Sequence, residues 1–381
     1  MRYSKPHYYD EFRCLAGNCP DTCCAGWQIC IDDASLEKYE NTEGPFGSRL
    51  ANSIDWEEGA FYQYERRCVF LNEENFCDLQ IELGEDALCD TCRMYPRHVE
   101  EFDGLRELSL SLSCPEAARM MLTCREPVRF ETWETEEEED SFEDDEMDYL
   151  LFTRLEDARE VMFDILKDRS FGIEERMEMV LELAKDMQRC IDEDRSFDMD
   201  DVIRQFRNSC REKSGDSPAG RGNAGSMGCG EDFSGRYERC CREFAVFGKM
   251  ELLRREWGKI IDNMWDSLYA PGEDNYVNIC RKFDAFCGSG GRYMLRQQVG
   301  EQLMMFFVYT YFCGAVYDGE IAVKIRFAVF STRWILELSM YRYLEKGGNL
   351  SMDDVIKMAW RYAREVEHSD VNLEIMEEWL G

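Results

Sequence analysis

A mainly α-helical protein with a cysteine-rich, metal-nucleated N-terminal module of short irregular elements is what the sequence predicts, and three observations predict it. Ten of the 19 cysteines lie between Cys14 and Cys114, in less than a third of the 381-residue chain. A run with twelve acidic and no basic residues follows, from Glu131 to Asp148. From Tyr149 onward apolar residues recur three or four positions apart with charges between them, the period of an amphipathic helix.

Taken in order, residues 1–125 form the cysteine-rich module. An apolar alternation at Trp27 to Asp32, a turn-rich stretch at Gly44 to Gly47 and the segment Cys68 to Gln80 are each short, so loops and short helices held together by ligands are expected. Residues 126–148 read as a solvated linker, because like charges repel and cannot be buried. Residues 149–212 read as helical: Leu151, Leu155, Ala158, Met162 and Leu166 share one face, and Met177, Val180, Leu181, Ala184 and Met187 share another. Seven glycines between Lys213 and Gly235 mark residues 213–235 as a flexible loop. Residues 236–381 form a helical domain, with helical stretches at Tyr237 to Tyr269, Tyr293 to Tyr317 and Glu320 to Lys346. The last of these is apolar nearly all round and predicts a central core helix. Ser351 then caps a final helix, with Asp353 and Asp354 in its first turn.

Composition narrows the function. A net charge of −34 repels a phosphate backbone and excludes nucleic acid as the main partner; the same field attracts a cationic or lysine-bearing one. The start MRYSKPHYYDEF lacks the apolar core of a secretory signal, which predicts a cytoplasmic chain. No stretch reaches the roughly 18 apolar residues that span a bilayer, so no transmembrane segment is expected. The longest candidate, Leu303 to Val316, reads as a buried core helix, with peripheral membrane contact or oligomerisation as the alternatives. In a reducing compartment 19 cysteines are unsuited to disulfides, and metal binding explains them better.

The first cysteine group is FRCLAGNCPDTCCAGW, with Cys14, Cys19, Cys23 and Cys24; the second holds Cys68, Cys77, Cys89 and Cys92, and Cys114 follows. Thiolates from distant parts of a chain suit zinc and iron–sulfur clusters alike. Only Cys89 and Cys92 make a CxxC, so spacing leaves the metal undecided. The CxxxCxxC of radical S-adenosylmethionine enzymes is absent, since Gly26 stands where its third cysteine belongs. Gly220 to Gly225 matches GxGxxG, but no buried strand precedes it, and a glycine-rich linker generates such a match by composition.

The runs KPHYYDEFRC, CPDTCCAGWQICID, CVFLNEENFCDLQIELGEDALCDTCRMYPR and LSLSCPEAAR, in that order over residues 1–122, resemble the flagellin lysine N-methylase family. The resemblance implies a protein-lysine N-methyltransferase that uses S-adenosylmethionine on flagellin and needs a [4Fe-4S] cluster. Its cysteines fall on Cys14, Cys19, Cys23, Cys24, Cys68, Cys77, Cys92 and Cys114, with Cys30 and Cys89 outside the set. Eight candidates for four ligands imply a second metal or cysteines with another task. Methyl transfer needs a neutral amine, so a group must take a proton from the lysine. Asp21 and Tyr95 are the candidates, beside the plainer readings of a turn residue and a packed ring. Arg97 is the candidate for the donor's carboxylate, or else the partner of a nearby acid. Two other readings fit the same cysteines: a non-catalytic zinc or iron–sulfur module in a helical interaction protein, and an electron-transfer protein.

Overall fold

The computed structural model describes residues 1–136, 147–215, 231–288 and 293–381. Its first strand, β1 (Arg2–Pro6), leads into a segment of short elements: α1 (Asp33–Glu40), α2 (Gly44–Ala51), the two-residue pairs β2 (Ile54–Asp55) with β3 (Ala60–Phe61) and β4 (Gln63–Tyr64) with β5 (Arg67–Cys68), α3 (Asp78–Leu83) and α4 (Asp90–Met94). The apolar alternation at Trp27 to Asp32 does not become a strand; it makes one isolated bridge, Cys30 to Ala60. A small core of its own, built on Ile29, Ile31, Tyr39, Leu50, Ile54, Phe61, Phe70 and Leu79, holds this segment.

The chain then returns to β1. The hairpin β6 (Arg97–Phe102) and β7 (Leu105–Leu110) sets β7 parallel to β1, helix α5 (Pro115–Thr123) crosses over, and β8 (Phe130–Glu134) pairs antiparallel on the other side, giving the order β6-β7-β1-β8. Two sequence-based expectations are corrected here. The acidic stretch begins as a strand, because Phe130 to Glu134 pair residue for residue with Pro6 to Arg2 and bring their backbone groups into a ladder; residues 137–146 of the predicted linker lie outside the described residues. The large core also does not divide at residue 125: Tyr8, Phe12, Leu105, Leu110, Leu112 and Met121 belong to the same apolar cluster as the C-terminal helices.

Those helices are α6 (Tyr149–Lys167), α7 (Ile173–Asp192), α8 (Met199–Gly215), α9 (Phe233–Glu243), α10 (Arg255–Met264), α11 (Glu273–Gly288), α12 (Tyr293–Tyr311), the short α13 (Ala315–Asp318), α14 (Ile321–Glu345), α15 (Met352–Glu367) and α16 (Asp370–Leu380). The fold class is therefore mainly α. The predicted glycine-rich loop falls largely on residues 216–230, outside the described residues, and the GxGxxG match lies there with it. Helix α14 is the central one, buried along nearly its whole length and packed against α7, α12 and α15. The stretch Leu295–Asp318 is long and apolar enough by length and composition to cross a membrane, and 83% of its most apolar window is buried inside the fold, where it serves as core. Ser351 caps α15 as read from the sequence, in a reciprocal box with Asp354. The single stretch expected at Tyr237 to Tyr269 is broken between α9 and α10, because the chain turns through residues 247–254 and carries Leu253 and Arg254 toward the cysteines.

Buried ion pairs tie the layers together. Arg159 of α6 makes two 2.6 Å hydrogen bonds to Glu107 of β7. Glu301 of α12 accepts from Arg169 and Arg176, and Glu337 of α14 accepts from Arg236, Tyr269 and Tyr276. Each of these three buried carboxylates has its partners, the condition for keeping such a charge inside.

Candidate functional site

The cysteines separate into two groups. Cys14, Cys19, Cys23 and Cys114 lie together: Cys14 and Cys114 stand near enough to raise the Cys23 thiol, Cys14 to raise Cys19, and Cys19 to raise Cys114. Cys24, Cys68, Cys77, Cys89 and Cys92 line a second, apolar cavity with Ile29, Phe61, Phe70 and Leu79. The thiol of Cys23 donates to the sulfur of its neighbour, which holds Cys24 down to about 6 and Cys23 up. Burial pushes Cys68 up to about 12 and Cys114 to about 11, since a thiolate in an apolar wall lacks water. Soft sulfur donors from separate segments fit a thiolate-held metal or cluster and not a hard cation. Among the described residues no three or more His, Cys, Asp or Glu side chains already converge on a single-ion position; the thiols stand around shared space instead. All seventeen described cysteines are free of disulfides.

The first group meets the C-terminal helices through two arginines. Arg254 pairs with Asp21 and donates to the Ala25 carbonyl at 2.8 Å. Arg364 of α15 pairs with the other oxygen of Asp21 at 3.0 Å and donates to the carbonyls of Asp21 and Ser113 at 2.7 and 2.8 Å. Gly26 permits the approach: its φ is +98°, and a Cβ there would stand 2.7 Å from the Arg254 guanidinium. Ser113, beside Cys114, is a junction, hydrogen-bonded to Tyr95 at 3.0 Å and to His368 at 2.7 Å. Trp27 stacks edge-on against both Tyr95 and His368. Burial, then the two arginines, hold His368 down to about 3, so its ring is neutral.

Beyond Asp21 a cavity of about 240 Å³ opens between Pro20, Trp257, Trp360, Arg361 and Glu365. Glu365 is 2% exposed; one carboxylate oxygen accepts from the Leu253 amide at 2.9 Å and the other has no hydrogen-bond partner. Burial pushes this carboxyl up to about 7. Arg361 stacks on Trp360; burial, with Arg254 nearby, lowers it, and burial and Arg361 lower Lys357. Three arginines, Arg254, Arg361 and Arg364, and three carboxyl groups, Asp21, Glu256 and Glu365, line this recess, and Asp21 is paired with two of the arginines.

The sequence-predicted residues are distributed as follows. Cys14, Cys19, Cys23 and Cys114 are brought together, and so are Cys24, Cys68, Cys77 and Cys92, with Cys89 added and Cys30 supplying a carbonyl to it at 3.9 Å. Asp21 has both oxygens taken by guanidiniums, the arrangement of an anchor. Tyr95 is a packed ring whose hydroxyl burial pushes well above the usual range, beside Cys23 and Cys114. Arg97 lies over the Phe12 ring and lines none of these cavities. Sequence reasoning missed Arg254, Arg361, Arg364, Glu365 and His368; the one available signal was the Arg-rich run RYAREVEH at the end of an apolar helix.

A family model described as the FliB lysine N-methylase C-terminal domain matches residues 159–381, more than half of the chain. Over 128 residues the chain is 30% identical to the flagellar biosynthetic protein FliU of Salmonella muenchen, a match covering 31% of this chain and 76% of that protein. It is also 30% identical over 128 residues to the lysine-N-methylases of Salmonella typhimurium and Salmonella choleraesuis, where the match spans 32% of their length. No solved structure matches.

Proposed function

Because this chain belongs to the FliB lysine N-methylase family, we propose that it transfers methyl groups from S-adenosylmethionine to lysine ε-amino groups of a flagellar protein, flagellin, in the cytoplasm. The observation that carries the proposal is that residues of the family domain, Arg254, Arg364 and Glu365, line one recess with Pro20 and Asp21 of the loop that carries the first cysteines. The names of the relatives, a flagellar biosynthetic protein and two lysine-N-methylases, support the substrate and the reaction.

In this reading Cys14, Cys19, Cys23 and Cys114 hold the [4Fe-4S] cluster on which the family resemblance makes transfer depend. When bound, a cluster capped by these four thiolates would carry a net negative charge and would fix the Asp21 loop beside the recess. Glu365 takes the proton from the lysine ammonium: its side chain lines the cavity, one of its oxygens has no hydrogen-bond partner, and burial pushes its carboxyl up to about 7, the range in which a general base works best. Arg361, which makes no ion pair among the described residues, replaces Arg97 as the group that holds the donor's carboxylate. Arg254 and Arg364 are positioning residues that lock the Asp21 loop, and with it the thiols, against α15.

The test is incubation of oxygen-free purified protein with S-adenosylmethionine and flagellin, read by intact mass. Flagellin heavier by multiples of a methyl group, on lysine, is the expected result. Unmodified flagellin with a metal-loaded, folded protein would refute the proposal.

A further inference from the structure

Half of the large apolar side chains exposed among the described residues, eight of sixteen, lie between Leu15 and Met94, in less than a quarter of the chain. Single exposed rings need no explanation, but three of these side chains stand together. Tyr64, 75% exposed, ends β4, and the two residues that lead to β5, Glu65 and Arg66, have φ of +49° and +62°, the left-handed pair of a tight hairpin turn. Arg67 of β5 donates to the Asn75 side chain at 2.9 Å, which joins the hairpin to the turn ending at Phe76. The Phe76 ring in turn lies on the loop after Leu15, 2.7 Å from where a Cβ on Gly17 would stand. We propose that Leu15, Tyr64 and Phe76, on these three adjoining loops, form the docking face for the substrate protein and hold the segment that bears the lysine to be methylated, an inference that rests on the functional reading above.

Position, charge and rigidity argue for this occupant. The face borders the recess: Gly26 donates its amide to the Arg66 carbonyl at 2.8 Å, and the same glycine lies against the Arg254 guanidinium, which lines the recess with Glu365. Burial raises the Glu365 carboxyl, and the charge of Arg66 is among those that oppose it, so the hairpin tip stands within electrostatic reach of the proposed base. A segment lying across the tip therefore has a lysine's reach to that carboxyl. Around the apolar residues, Glu65, Glu73 and Glu74 are exposed and form no salt bridge among the described residues, as is Glu256 at the recess; Arg66 and Arg67 are the cations beside them. An apolar centre with an acidic rim is complementary to a segment carrying apolar and basic side chains, and it repels an anionic membrane or a nucleic acid. The hairpin is also fixed before binding, since the Cys68 amide donates to the Cys24 carbonyl at 2.9 Å and the turn has two residues, so little order is lost when a partner seats on Tyr64.

The experiment uses the full chain purified without oxygen, with flagellin as the probe. Carbene footprinting of the unaltered chain, read by mass spectrometry with and without flagellin, should show Tyr64 and Phe76 protected, and Phe197, an exposed ring on the connection between α7 and α8, unprotected. The double variant Tyr64→Ser/Phe76→Ser should raise KM for flagellin about tenfold and leave kcat and the KM for S-adenosylmethionine unchanged. Phe197→Ser should change none of the three. Absence of protection at Tyr64 and Phe76, or a flagellin KM unchanged in the double variant, overturns the proposal. So does a dimer of this chain, seen by sedimentation, that the double variant dissolves, because the face then serves a second copy. The footprint decides even if the variant fails to fold. Flagellin that protects both rings and is never methylated refutes the functional reading and leaves the docking face standing; flagellin methylated without protecting them does the reverse.

Discussion

Two glutamates on one turn of α15 respond to pH for the same reason and with different results. Glu365 and Glu367 are both pushed up to about 7 by burial. Glu365 faces the recess, so ionisation makes it a base: methyl transfer should rise with pH through about 7, and Glu365→Gln should lower kcat by roughly 10²–10⁴-fold and abolish that rise. A pH-rate profile unchanged in the variant would remove Glu365 from the mechanism. Glu367 faces Tyr311 and Ser111 instead, accepting from each. Its folded pKa lies above the unfolded value of 4.5, so the folded state keeps a proton that the unfolded state has lost between about 4.5 and 7, and stability falls as pH rises through that window. Glu367→Gln removes the penalty and should stabilise the protein by about 1–3 kcal/mol at pH 8 and by almost nothing at pH 4. Denaturant titrations at the two pH values check it.

Between elements, the buried pair Arg159 to Glu107 is the clasp that fixes the sheet to the helices, with side chains 7% and 3% exposed. Arg159→Ala should cost about 3–5 kcal/mol by urea unfolding, because it strands the Glu107 carboxylate, and the further change Glu107→Leu should recover most of the loss. Neither partner announces itself in sequence, being one Arg and one Glu among many. Helix α14 and the Ser351 cap were legible because their signals are local: an all-round apolar period, and a hydroxyl three residues before Asp354. The sheet was not, since Arg2 to Pro6 pairs with partners about a hundred residues away and shows no clean alternation. The site divided likewise. Its thiols stood out by type and density, while Arg254 and Arg364 reach the loop that carries them from more than two hundred residues away, where no spacing rule applies.

At the scale of the molecule, a net charge of −34 surrounds the recess lined by Arg254, Arg361, Arg364 and Glu365. On the proposed function, the outer field would steer in a lysine-bearing protein and the recess would act on it at close range. Raising ionic strength from about 0.05 to about 0.5 M, which shortens the screening length to a few ångströms, should therefore raise KM for flagellin several-fold and leave kcat nearly unchanged. A KM insensitive to salt would show that the acidic surface serves solubility alone.

The sheet order has a consequence during synthesis on the ribosome. Strand β1 is made first and sits between β7 and β8, so it cannot be flanked on both sides until residue 134 has emerged. The cysteines from Cys14 to Cys92 leave the exit tunnel in that interval, which lasts several seconds at roughly 5–20 residues per second. Their segment is thus an insertion within an unfinished sheet, and for those seconds its thiols stay open to solvent before the helices cover them.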